Sequence, residues 1–207
     1  MSNVPLEKLD AMQLSVLSEI GNIGSGNAAT ALAQLLNKVV DIEIPSISLM
    51  DFDEVAEYLG GPDNKALGVT VTLEGDIQGV MLQVLQKDFA NLLINTFYEK
   101  QLNHFDDISD MDLSVIREMG NITTAAYINS IAKMTNTYIN ITPPADHVDT
   151  IANILSIPAG QFDALGKKVL YIDERFSIAD TTIKSSMILI LEVASMHTLF
   201  EKLGIPC

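Results

Sequence analysis

The segment LSVLSEIGNI (residues 14–23) returns ninety-nine positions later as LSVIREMGNI (residues 113–122). In the first copy Ser15, Glu19 and Asn22 are followed by Pro45; in the second Ser114, Glu118 and Asn121 are followed by Pro144, and every offset agrees to the residue. Outside the core of the motif, Ala33, Asn37 and Ile42 equal Ala132, Asn136 and Ile141. Self-similarity at a fixed period marks an internal duplication. The fold is therefore expected to be two copies of one unit.

Each unit reads in the same order. Asp10 caps a helix whose apolar positions run from Met12, Leu14 and Leu17 to Leu32 and Leu36. Val39 to Ile44 form a strand ending at Pro45, and Ile47 and Leu49 continue an extended segment. A short acidic helix follows, from Asp51 to Leu59, stopped by Gly60 and Gly61. Leu67 to Leu73 and Ile77 to Leu85 flank Glu74, Gly75 and Asp76, a hairpin signal, because glycine supplies the positive φ of tight turns. A helix from Lys87 to Tyr98 closes the first half, and the polar stretch from Glu99 to Asp110 reads as a linker.

The second half repeats this order: a helix from Met111 to Met134, a strand from Tyr138 to Ile141, a short helix from Asp146 to Leu155, a hairpin of Val169 to Ile178 with Ile183 to Val193, and a closing helix from Met196 to Leu203. These elements predict one α+β domain over 1–207, built of two repeats (10–98 and 111–203). It would be a pseudo-twofold arrangement with a largely antiparallel sheet and two long motif-bearing helices on one side.

Composition narrows the function. The 207 residues carry twelve Lys and Arg against twenty-seven Asp and Glu, a formal charge of −15 that repels nucleic-acid phosphates. No apolar run approaches the roughly 18 to 20 residues of a membrane span, and residues 1–10 lack a basic start with an apolar run. The single cysteine, Cys207, permits no internal disulfide, and the expected location is the cytoplasm.

At about 100° per residue, positions i, i+4 and i+7 lie within roughly a 60° arc, so Ser15, Glu19 and Asn22 share one helix face, as do Ser114, Glu118 and Asn121. Val16, Leu17 and Ile20 supply the buried face. Asparagine lowers helix propensity by roughly half a kcal/mol relative to alanine, and a use for its amide would explain that cost. An amide orients water through donors and an acceptor, but it is neither a nucleophile nor a proton shuttle near neutral pH. Either function or shared ancestry would preserve the stripe. Gly21 and Gly120, before each Asn, either bend the helix or expose backbone to an approaching protein.

Other chemistries find little support. Gly21, Gly24 and Gly26 lack the Lys-Ser or Lys-Thr of a phosphate loop, and the second copy has Thr123 and Ala125 at the last two positions. His104, His147 and His197 lack metal-ligand spacing, and neither Ser15 nor Ser114 has an adjacent histidine.

The doubled Ser-x3-Glu-x2-Asn pattern with proline twenty-three positions later resembles the motif of the CheC, CheX and FliY family of bacterial chemotaxis phosphatases. Two motifs and no flagellar-switch extension resemble its CheC branch. The resemblance implies hydrolysis of the aspartyl phosphate on the response regulator CheY. Glu19 and Glu118 would pair with the CheY active-site lysine, and Asn22 and Asn121 would orient the attacking water in line. Ser15, Ser114, Pro45 and Pro144 would support the motif. The chain would hold no metal or cofactor of its own, the Mg²⁺ being carried by CheY.

The family also implies a second partner, the receptor deamidase CheD, which raises phosphatase activity. The segment with Asp146, His147, Val148, Asp149 and Ile151 is the candidate docking surface. A non-catalytic module that regulates CheD in response to CheY-phosphate is the alternative reading. Because the duplication already supplies twofold symmetry, a monomer is expected.

Overall fold

A computed structural model describes residues 9–159, 168–178 and 181–205; Cys207 lies outside them. The order of elements is α1 (Ala11–Leu36), β1 (Val40–Ile42), β2 (Ser46–Asp51), α2 (Phe52–Tyr58), β3 (Lys65–Gly75), β4 (Gly79–Leu85), α3 (Lys87–Tyr98), α4 (Asp110–Thr135), β5 (Ile139–Ile141), β6 (Ala145–Thr150), α5 (Ile151–Ala159), β7 (Lys168–Ile178), β8 (Thr181–Leu191) and α6 (Val193–Lys202). The order α-β-β-α-β-β-α thus occurs twice.

All eight strands form one sheet in the order β1-β7-β8-β4-β3-β5, with β2 also on β7 and β6 also on β3, and every pairing is antiparallel. The short strands cross over between halves: β1 and β2 pair with β7, β5 and β6 with β3. The expected α+β class and antiparallel sheet are what the structure has.

Strand alternation sorts the core into two layers. Met81, Leu170, Ile172, Met187 and Leu189 pack under α1, α4 and α6. Leu82, Val84, Val169, Tyr171, Ile188 and Ile190 face the other way, onto α2 and α5. Leu67, Val69, Leu85 and Phe176 join α1, α3 and α4 in a third cluster. The two long helices therefore lie on one side of the sheet, as expected.

Both long helices start and stop by the same local chemistry. Asp10 accepts from the backbone N–H of Gln13 in a capping box, and Ser109 does so from Asp112. Asn37 and Asn136 end them in the left-handed region, at φ 50° and 51°. Asparagine tolerates that conformation better than other side chains with a Cβ. This explains two of the matched positions of the repeat.

The structure corrects several expectations. Residues 145–150 form β6 rather than the start of a helix, because their backbone is drawn into register with Lys65–Thr70. The polar stretch from Glu99 to Asp110 is not a bare linker, since Leu102 and Phe105 are buried in the cluster beneath α3 and α4.

The prolines sit at bulges rather than at strand ends. Between the pairs Ile42↔Phe176 and Ser46↔Asp173, three residues oppose two, and Pro45 is one of the three. Between Ile141↔Leu73 and Ala145↔Thr70 the same count recurs around Pro144. A proline fits there because a bulge leaves one residue out of the ladder and needs no N–H from it.

Candidate functional site: the two motif faces

The motif side chains stand on the helix faces turned away from the sheet. On α1, Leu17, Ile20, Gly21, Gly24 and Ala28 are buried, whereas Ser15, Glu19 and Asn22 are exposed. On α4, Ile116, Met119, Gly120, Thr123 and Tyr127 are buried, Ser114 and Glu118 are exposed, and Asn121 is half-buried. A wheel of about 100° per residue puts the centre of each buried set nearly opposite its motif. Pro45 is buried and Pro144 half-buried, below the faces rather than on them.

The glycines before each Asn serve the inward side. A Cβ on Gly21 would run into the Ile47 side chain on β2, and one on Gly120 would lie 2.6 Å from Cγ1 of Val69 on β3. Both are therefore close-approach glycines of helix on sheet, and neither offers backbone to a partner. Gly24 plays the same part between helices, since its added Cβ would meet the Tyr127 ring at 2.6 Å. Asn27 Nδ2 donates to Ser130 Oγ at 2.9 Å across the same contact. Thr123, Thr124 and Tyr127 are all buried, so the bulk that follows Asn121 in sequence points into the core and does not crowd the second face.

The two faces differ in charge. Arg117 Nη1 pairs with Asp146 Oδ1 at 2.5 Å, and Arg117 Nη2 donates to Ser114 Oγ at 3.2 Å. Ser114 in turn donates to the Asp110 carbonyl at 2.9 Å. The first copy has Ser18 where the second has Arg117, and Ser18 Oγ donates to the Leu14 carbonyl at 2.8 Å. Asp112, at the start of α4, is buried: burial pushes its carboxyl up, but the Lys100 ammonium and the Ser109 donors outweigh it and hold it below the usual range.

The proposed CheD segment is divided by this structure. Asp146 is taken up by Arg117, and Ile151 is 1% exposed within the α2–α5 layer, so neither is free to meet a partner. Val148 is exposed. Asp149 accepts from Asn153 Nδ2 and the Thr150 N–H, which hold its carboxyl below the usual range.

A buried polar cluster beneath α1 escaped the sequence reading. Glu174 on β7 is 0% exposed, and neither carboxylate oxygen has a hydrogen bond. Burial pushes its pKa up to about 7, Asp173 adds to that, and the nearby Ser25 and Ser185 hydroxyls oppose it. Gln83 Nε2 donates to Ser185 Oγ at 3.2 Å, and Thr123 Oγ1 donates to Gln83 Oε1 at 3.3 Å. Glu174 lies opposite the Pro45 bulge; opposite the Pro144 bulge the corresponding residue is Val71.

The motif faces are open helix surfaces. A groove of about 690 Å³ between α1 and α4, lined by Asn27, Thr30, Ser130 and Lys133 among others, includes none of the motif side chains. Open faces with paired acid and amide suit a protein partner better than an enclosed small molecule.

Comparison with known proteins follows the same boundaries. The CheC-like family model matches residues 12–49 and 111–146, each a motif helix with its strand and proline. Both motif segments thus match the CheC-like family. The CheY-P phosphatase CheC of Bacillus subtilis (strain 168) is 29% identical over 198 residues, covering 93% of this chain and 94% of that protein. The flagellar motor switch phosphatase FliY of the same organism is 26% identical over 140 residues, 67% of this chain and 36% of FliY.

Among solved structures, Thermotoga maritima FliY superposes with a TM-score of 0.74 at 20% identity, covering 95% of this chain and 98% of that one. The FliM middle domain from H. pylori gives 0.69 at 13% identity, covering 94% and 99%. These likenesses establish the fold of the chain. No described helix is long and apolar enough to cross a membrane.

Proposed function

We propose that this CheC-like chain is a cytoplasmic chemotaxis phosphatase that hydrolyses the aspartyl phosphate of CheY. The observation that carries the reading is the pair of outward faces, Glu19 with Asn22 and Glu118 with Asn121, inside the two segments that match the CheC-like family. Each glutamate docks the active-site lysine of CheY, and each asparagine directs a water in line with the phosphoryl group. Ser15 and Ser114 flank the docking acid, and Pro45 and Pro144 shape the sheet beneath it. The Mg²⁺ belongs to CheY, and the chain works as one domain and as a monomer.

Phosphoryl transfer asks mainly for positioning and charge stabilisation, so an acid and an amide suffice without a nucleophile. A hundredfold acceleration of an already labile acyl phosphate needs only about 2.7 kcal/mol. Val148 and Asp149, left exposed on β6, are the part of the proposed CheD surface still open to a partner. CheD bound there raises the activity.

The test follows phosphate loss from CheY with the wild type, Asn22→Ala, Asn121→Ala and the double variant, with and without CheD. The double variant should fall to the unaided rate, and each single variant should retain what the other face supplies. Equal hydrolysis by wild type and double variant would refute the mechanism. It would also favour the second reading, a module that binds without catalysis. That reading has support in the fold, which is shared with a FliM solved in complex with FliG.

A further inference from the structure

The Arg117–Asp146 pair is the sharpest difference between the two motif faces. Both of its members are new relative to the first copy, where the same offset gives Ser18 and the half-buried Ile47. Stability is a poor explanation for it: the side chain of Arg117 is 39% exposed, and ion pairs with an exposed partner contribute little. Position is more telling. Arg117 does not hang free but reaches back one helical turn to Ser114, a member of the motif stripe, so a fixed cation borders the face that presents Glu118. On the first face Ser18 turns to its own backbone and leaves Glu19 without a neighbouring cation from that position.

We infer that Arg117, anchored by Asp146 and Ser114, is a specificity-determining residue that weakens docking of a cationic partner group on Glu118, so that the second face engages its partner less tightly than the first. The inference rests on the reading of the faces as docking sites for CheY. A guanidinium held on Ser114, at the border of the face that presents Glu118, repels an incoming ammonium, and Asp146 limits that repulsion by neutralising part of the charge. The two members of the ion pair thus act on docking with opposite sign.

That opposition separates charge tuning from support of the fold. In a background with Glu19→Ala and Asn22→Ala, turnover of phosphorylated CheY reports the second face alone. Arg117→Ser should lower KM about threefold at low salt, and Asp146→Ala should raise it by a similar factor, as for one unit charge acting across a helical turn in a water-like dielectric. Arg117→Lys should stay near the parent, kcat should hold in all three, and the differences should vanish at about 0.5 M salt.

If the pair were only structural, both truncations would shift KM in the same direction and would do so at any salt; either result overturns the inference. Should the background show no turnover, the Kd for CheY carrying beryllium fluoride and Mg²⁺ replaces KM with the same expected signs, and a Kd unmoved by both changes overturns it equally. Failure of the phosphatase reading itself appears elsewhere, as equal hydrolysis by the wild type and the Asn22→Ala, Asn121→Ala double variant.

Discussion

Glu174 makes the stability of this protein depend on pH in a direction opposite to that of most carboxylates. Its pKa is about 7 in the folded chain against an ordinary 4.5, because burial opposes the charge and Asp173 adds to that, beyond what the nearby Ser25 and Ser185 hydroxyls offset. Between those values the folded protein holds a proton that the unfolded chain has released, so stability falls as pH rises through the window. The gap between those two values corresponds to about 3 kcal/mol, fully lost only above pH 7. Glu174→Gln keeps the shape and removes the charge. Urea denaturation of wild type and variant should give nearly equal stabilities at pH 5 and a variant more stable by up to about 3 kcal/mol at pH 8. Taking the difference at each pH cancels every other titrating group. A difference that does not change with pH would refute the reasoning.

Two further predictions concern packing and charge around the motif helices. Gly24→Val would drive a side chain into the Tyr127 ring and should cost about 2 kcal/mol or more in denaturation, whereas Gly26→Ala, with open space at its Cβ, should be neutral or stabilising by about 0.5–1 kcal/mol. Lys100→Met leaves Asp112 buried without its ammonium and should destabilise the protein by about 1.5–3 kcal/mol at pH 7. Since the Asp112 pKa is depressed in the fold, its contribution is present above the unfolded carboxyl value and lost as pH falls; the same substitution should cost less at pH 3.

What could be read from the sequence was whatever repeats or alternates locally. The doubled motif placed both helices within a residue or two of α1 and α4, and the helix wheel correctly put Glu19, Asn22 and Glu118 on the solvent side. Residues 145–150 misled because Asp146, Asp149 and Thr150 suit a helix start, and only the distant partner Lys65–Thr70 makes them a strand. The glycines misled because an identical residue can face in or out. The clash of a Cβ with Ile47 or Val69 is a fact of long-range packing. Glu174 was legible in principle: strand alternation through Ile172 and Phe176 points it to the core, and a charged residue at that parity is the signal.

The strand crossover constrains how the two faces can diverge. Gly21 of α1 packs on β2, which is hydrogen-bonded to β7 from the other half, while Gly120 of α4 packs on β3, which carries β5 and β6. Neither motif helix is thus supported by its own half alone, and Tyr127 reaches from α4 into the space left by Gly24 of α1. A lesion in this shared interior should disturb both faces together. Independent adjustment of one face is left to positions that point outward, where a substitution touches neither the sheet nor the other helix. Position 18 in the first copy is such a position; position 117 in the second stands at the border of its face, its guanidinium paired with Asp146 on β6, and there the otherwise matched segments differ in charge. The buried pattern keeps the acid and amide in place on both helices, and the exposed pattern is where their affinities can be set apart.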